Sequence, residues 1–88
     1  MTNKFEWDSR KSDLNKGKHG IDFETGSALW RDANRIEIHA PHPTEDRWIM
    51  IGKLQNKIWA VIYTIRQGRI RIISVRRARE KEISLYEN

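Results

Sequence analysis

The pattern of apolar and polar positions changes period near Asn34. Before it, the apolar residues are sparse. Phe5-Glu6-Trp7 alternates apolar and polar and predicts a short strand. Asp8 is a good N-cap for the polar run SRKSDLNKGKH at 9–19, a predicted helix in which Leu14 is the only large apolar residue. Lys11, Leu14 and Lys18 share one face, so this helix is expected to lie lightly on the domain and to present a basic surface. Gly20 is expected to stop it, because glycine takes a positive φ at no steric cost. Asp22 then caps a second helix, where Phe23, Ser27 and Trp30 recur at i, i+4 and i+7 and predict one buried stripe. Gly26 weakens that helix intrinsically but permits close packing.

From Arg35 the period is two. Ile36 and Ile38 alternate with Arg35, Glu37 and His39, and predict a strand. Pro41 and Pro43 make the following segment an irregular connection. RWIMIG at 47–52 is the next strand, KLQNK at 53–57 a hairpin turn, and IWAVIYTI at 58–65 the most apolar strand, expected at the centre of the sheet. RQGR at 66–69 is a tight turn around Gly68, and IRIISV at 70–75 a further strand. The last stretch is rich in helix formers, with Ala78, Leu85 and Tyr86 on one face. The predicted order is β-α-α-β-β-β-β-α within a single domain spanning 1–88. This is an α+β architecture in which strands joined by short turns pair antiparallel and all three helices can cover one sheet face.

Composition narrows the function classes. The chain has 88 residues, 38% of them hydrophobic and 33% charged, which allows a real but thin core. The longest apolar run, Ile58 to Tyr63, falls far short of the roughly 18–20 residues that span a membrane. The segment from Met1 to Trp7 lacks the apolar centre of a signal peptide, and there is no cysteine, so a cytoplasmic location with no membrane partner is expected. Lys and Arg number 17 against 12 Asp and Glu, for a formal charge of +5, which favours an anionic partner. The four tryptophans are costly to expose, so most are expected in the core.

The charge is concentrated at 66–80, where six arginines fall: Arg66, Arg69, Arg71, Arg76, Arg77 and Arg79. Arginine forks match phosphate oxygens bidentately and stay charged. Strict alternation puts Arg71, Ile73 and Val75 on one face and Ile70, Ile72 and Ser74 on the other. Arg71, inside an apolar strand, needs solvent or a partner. It is either an ion-paired residue on a wet face, with Glu45 or Asp46 as partner, or part of an anion-binding surface. His19 beside Lys18 has two readings as well. It can be a cation favoured at a helix C-terminus, or an acid–base group, since histidine titrates near neutrality. His39 and His42 flank prolines and read as exposed loop residues, and Glu80 and Glu82 as helix ion pairs with Arg79 and Lys81. No histidine spacing suggests a metal cage, and no phosphate-binding glycine loop or nucleophile elbow occurs, so neither metal nor cofactor is expected.

Taken in order, FEWD, Lys11, Asn15, KHGIDF, EDRWIMIG and IRIISVRRAREKE with Tyr86 near the end resemble the BrnT family of type II toxins over nearly the whole chain. The resemblance implies a compact RelE-like fold and metal-independent RNA cleavage that inhibits translation. It also implies a BrnA-like antitoxin with a ribbon-helix-helix part, and operator DNA bound only through the toxin–antitoxin complex. The family's recurring polar positions fall on Lys18, His19, Arg47, Arg71, Ser74, Arg76 and Arg77. Of these, His19, Arg71 and Arg76 are the expected catalytic residues, and Lys18, Arg47, Ser74 and Arg77 the expected RNA contacts. Val75 stands where alanine is common, a mild departure. The competing readings are a non-catalytic nucleic-acid-binding module with the same basic face and a protein-interaction domain that docks an acidic partner.

Overall fold

A computed structural model describes residues 4–88; Met1, Thr2 and Asn3, the start of the segment read above for a signal peptide, lie outside the described residues. The first strand, β1 (Phe5–Glu6), leads into α1 (Ser9–His19). Asp8 caps α1 as expected: its carboxylate accepts from the Arg10 and Lys11 amides at 2.9 and 3.2 Å. Gly20 ends the helix in the left-handed region at φ 79°, and its N–H donates to the Lys16 carbonyl.

The way α1 is held differs from the expectation of light packing. Leu14 is 72% exposed, and the buried residues of α1 are Ser12 and Asn15. The Asn15 amide donates to the carbonyls of Ile21 and Val75, both at 2.8 Å, and its oxygen accepts from the Val75 N–H at 3.2 Å. Ser12 Oγ accepts from the Phe23 N–H at 2.9 Å. A side-chain amide thus completes the edge of a strand as another peptide would. Directed bonds in a buried setting replace apolar area, because every polar atom buried there must find a partner.

Asp22 caps α2 (Phe23–Ser27), accepting from the Thr25 N–H at 2.7 Å. The helix is short and tightens into a 3₁₀ turn at Ala28–Arg31. That tightening shifts the expected stripe. Phe23 and Leu29 become the deepest side chains, while Trp30 sits partly buried with its ring edge-on to Phe5 and Tyr63. Gly26 is required by contact, since a Cβ there would lie 2.9 Å from Val75 Cγ2.

The sheet contains β2 (Ile36–His39), β3 (Trp48–Leu54), β4 (Lys57–Arg66) and β5 (Arg69–Arg77), in the order β1-β5-β4-β3-β2. The apolar β4 is central, as expected. Two-residue turns at Gln55-Asn56 and Gln67-Gly68 have positive φ at both positions, the geometry whose twist suits a hairpin. Consecutive strands are antiparallel, but β1 pairs parallel with β5, Phe5 opposite Ile70 and Glu6 opposite Arg71. The sheet is therefore mixed: the short-turn rule says nothing about a strand that arrives from the far end of the chain.

A bulge corrects the expected faces of β5. The register steps by one between Ile62 and Tyr63, whose partners are Ser74 and Ile72, so Ile73 is the extra residue. Val75 then turns inward with Ile70 and Ile72 and is fully buried. Arg71, Ser74 and Arg76 point to the opposite face. The core lies between the sheet and α1/α2, with Trp59 buried and Trp7, Trp30 and Trp48 packed against it.

The C-terminal helix α3 (Glu80–Glu87) does not join α1 and α2. It packs near β3, on the side to which Arg76 points, and none of its own residues is fully buried. Ala78 precedes it and donates its N–H to the Ile58 carbonyl, and Leu85 is 52% exposed. Of the expected Ala78–Leu85–Tyr86 stripe only Tyr86 lies on the docking face of the helix, through its hydroxyl, and Glu82 supplies the other polar attachment.

Candidate active site

Several of the expected residues come together and others do not. His19, at the end of α1, is carried by the Gly20 reversal to the rim of a cleft of about 260 Å³. The far wall is the β3–β4 turn, through Leu54 and Gln55, and the floor is β4 and the end of β5, through Lys57, Trp59 and Arg77. Trp59 and Arg77 are cross-strand partners, and the guanidinium carbon of Arg77 lies 5.5 Å from the Trp59 ring centroid. That distance is within cation–π reach, and a guanidinium so placed suits an anion with its planar fork of donors. Neither His19 nor Arg77 has a carboxylate partner among the described residues, and no carboxylate lines the cleft. The charged residues of its lining, Lys57 and Arg77, are both cations, which suits a phosphate.

Lys18 is exposed on α1 one residue earlier and does not line this cleft. Arg71 and Arg76 lie on the opposite face of the sheet from His19. Arg71 pairs with Glu6 at 3.1 Å across the parallel β1–β5 register; Glu45 and Asp46 are engaged elsewhere, with Arg47 and His39. Arg76 makes a two-pronged pair with Glu82 of α3, at 2.8 and 2.9 Å. That bond holds the Glu82 carboxyl below the ordinary carboxylate range, and the same contact raises Arg76. Glu82 also accepts from the Arg79 N–H, so its partners are Arg76 and a backbone amide instead of the side chains of Arg79 and Lys81. Ser74 shares the Arg71–Arg76 face, opposite Ile62. Arg47 is bound to Glu45 at 2.9 Å in the β2–β3 connection. His39 closes β2 with its ring tilted against Trp48, so it is not a loop residue, whereas His42 lies in an exposed turn with Thr44.

Lys57, Gln55 and Trp59 line the cleft yet escaped the sequence reading. The sequence places Lys57 and Gln55 in a turn and Trp59 in the apolar central strand. The signal that links them to Arg77 is strand register, which the bulge at Ile73 displaces by one.

The fold and cleft define a small basic α+β domain with a preformed cationic site beside a helix end. The chain belongs to the family described as ribonuclease toxin, BrnT, of type II toxin–antitoxin system, whose model matches residues 7–82. It is accordingly a ribonuclease toxin of such a system, with RNA as its target and an antitoxin as its partner. Comparison with curated proteins finds no match. Among the described residues, no helix is long and apolar enough to cross a membrane.

Proposed function

We propose that the chain is a metal-independent endoribonuclease whose cleavage of RNA inhibits translation in the cytoplasm, and that the His19–Arg77 cleft is where the phosphodiester is cut. The observation that carries this reading is the meeting of one imidazole and two cations, Lys57 and Arg77, in a cleft lined by no carboxylate. Hard divalent cations are held through carboxylate oxygens, which this donor set lacks. It does supply a base and a clamp. His19 takes the proton from the ribose 2′-hydroxyl, and the 2′-oxygen bonds to phosphorus. Arg77 and Lys57 neutralise the charge that grows on the non-bridging oxygens. The bond from phosphorus to the 5′-oxygen breaks, and the Lys57 ammonium returns a proton to that oxygen. The products are a 2′,3′-cyclic phosphate and a 5′-hydroxyl end. Arg71, Ser74 and Arg76 then serve the opposite face, outside the bond-breaking step.

The partner in this reading is a BrnA-like antitoxin with a ribbon-helix-helix part, which blocks cleavage and through which alone operator DNA is bound. End-labelled RNA incubated with the protein in EDTA tests the chemistry. Cyclic-phosphate ends are expected, and a substrate with deoxyribose at the scissile position should survive. A strict Mg²⁺ requirement, or 5′-phosphate ends, overturns the mechanism.

A further inference from the structure

A second cleft adjoins the first across the β3–β4 turn. It measures about 610 Å³ and is the larger of the two. Leu54 and Gln55 line both, so the turn is their common wall. The volume lies within the range of about 300–1,000 Å³ typical of small-ligand sites.

The chemistry of this cleft is sorted in a particular way. Arg31 and Lys53 supply two cations, and neither has a carboxylate partner among the described residues, unlike Arg35, Arg47, Arg71 and Arg76. Asn34, Gln55 and Asn56 add three exposed side-chain amides, each able to donate and to accept. Asp32 is the one acidic residue in the lining, and its oxygens are already occupied. Oδ1 accepts from the Asn34 N–H at 2.9 Å, and Oδ2 from the Lys53 N–H at 2.8 Å and the Tyr86 hydroxyl at 2.5 Å. Those bonds fix the floor of the cleft and stabilise its one negative charge internally. What remains for a ligand is two cations and three amides. Cations that track a backbone, beside groups that meet base edges, are the requirements of single-stranded nucleic acid.

We propose that this cleft is a second RNA subsite, which holds the single-stranded segment flanking the scissile phosphate, so that the strand runs over the β3–β4 turn from one cleft to the other. The proposal rests on the reading of the His19–Arg77 cleft as the place of cleavage. Arg31 and Lys53 take phosphates of the flanking nucleotides, and Gln55, at the shared wall, lies between the two nucleotides it separates. The left-handed backbone at Gln55 and Asn56 makes the turn a fixed ridge, so the register between the two subsites is set by the fold.

Binding of uncleavable RNA, deoxy at the attacking ribose, tests this independently of catalysis. A dinucleotide is compared with an oligomer of about eight nucleotides. The native protein is expected to bind the oligomer about tenfold or more tighter than the dinucleotide. In the double variant Arg31→Ala/Lys53→Ala that ratio should fall toward one. The Lys53 substitution spares the bond to Asp32, which uses the backbone N–H. Arg66→Ala/Arg69→Ala, at the distant β4–β5 turn, removes the same charge and should keep the ratio. Equal affinity for the two lengths in the native protein, an unchanged ratio in the first variant, or an equal fall in the second overturns the subsite. Failure of the cleavage reading shows separately, as RNA cleavage that persists in His19→Ala.

Discussion

Arg76 and Arg77 are neighbours in the chain and opposites in environment. Arg76 points to the α3 side, where its side chain is 18% exposed and that of its partner Glu82 is 13% exposed. Its charge is consumed by the pair, and the pair fastens a helix that buries no residue of its own. Arg77 points to the α1 side, exposed at the strand end, over Trp59 and beside His19. Its charge faces a cleft that no carboxylate lines among the described residues. The same residue type therefore does two jobs in consecutive positions, one holding the fold together and one left available to an anion. A count of arginines cannot separate them; the faces of β5 do.

The largest expected effects test the available side. His19→Ala should lower RNA cleavage by about 10²–10⁴-fold, the usual contribution of a positioned acid–base group. Arg77→Ala should lower it by about 10²–10³-fold, as expected for losing one donor to the transition state. Thermal melts of Arg77→Ala should move little, since exposed substitutions stay within about 0.5 kcal/mol. The comparison breaks if Arg76→Ala, still folded, loses as much activity as Arg77→Ala.

A smaller effect, and on stability instead of cleavage, belongs to the paired side. Arg76→Ala leaves the half-buried Glu82 carboxylate without its two-pronged partner, at a cost of about 2–3 kcal/mol. For a domain of this size each kcal/mol moves Tm by about 4–8 °C. Urea or thermal unfolding of Arg76→Ala, Glu82→Ala and the double variant closes a cycle. The double variant should be less destabilised than the two singles added, because the second deletion removes the stranded charge left by the first. Strict additivity would mean that the pair does not hold α3.

How far the sequence anticipates these two faces depends on which physical signal is local. Asp8, Gly20 and Asp22 act through bonds to residues two to four positions away, so both helix ends and the reversal after His19 are readable from the chain. The central position of the apolar β4 and both hairpin turns are readable for the same reason. The sites are harder because they depend on register. Counted back from the Gln67-Gly68 turn without interruption, Arg76 would stand opposite Trp59. The extra residue Ile73 moves the pairing by one and puts Arg77 there. Nothing in IRIISVRR marks Ile73 as the bulge. The parallel pairing of β1 and the Asn15 bridge to Val75 join residues 60 or more positions apart, and they are equally silent in a periodicity. The family resemblance gathered His19, Arg76 and Arg77 into one set of positions, but which of them share a surface is decided by the fold.

The smallest expected effect sharpens the paired side through pH. α3 has two polar anchors, and they titrate in opposite senses. The Glu82 carboxyl is lowered from 4.5, first by its bond to Arg76. A lowered carboxyl contributes stability that is present above its unfolded value and lost as pH falls through the folded one, so acid releases this anchor. The Tyr86 hydroxyl is raised from 10.0 to about 12, first by donating to Asp32 and then by burial. A raised group contributes stability that is fully present below its unfolded value and lost as pH rises through the folded one, so this anchor lets go in alkali, between 10.0 and about 12. Helix α3 should therefore be most firmly attached between the two limits, and backbone NMR shifts of residues 80–87 should report a departure at each end. Glu82→Gln should weaken the acid limb, which the lowered Asp32 carboxyl that receives Tyr86 shares, and keep the alkaline one; Tyr86→Phe should remove the alkaline limb and keep the Glu82 part of the acid one. The Trp59–Arg77 cleft carries neither anchor, so the shifts of its indole N–H should be insensitive to both variants. A cleft that moves together with α3 would show that the two faces of the sheet are coupled, and that Arg76 influences cleavage through the helix it holds.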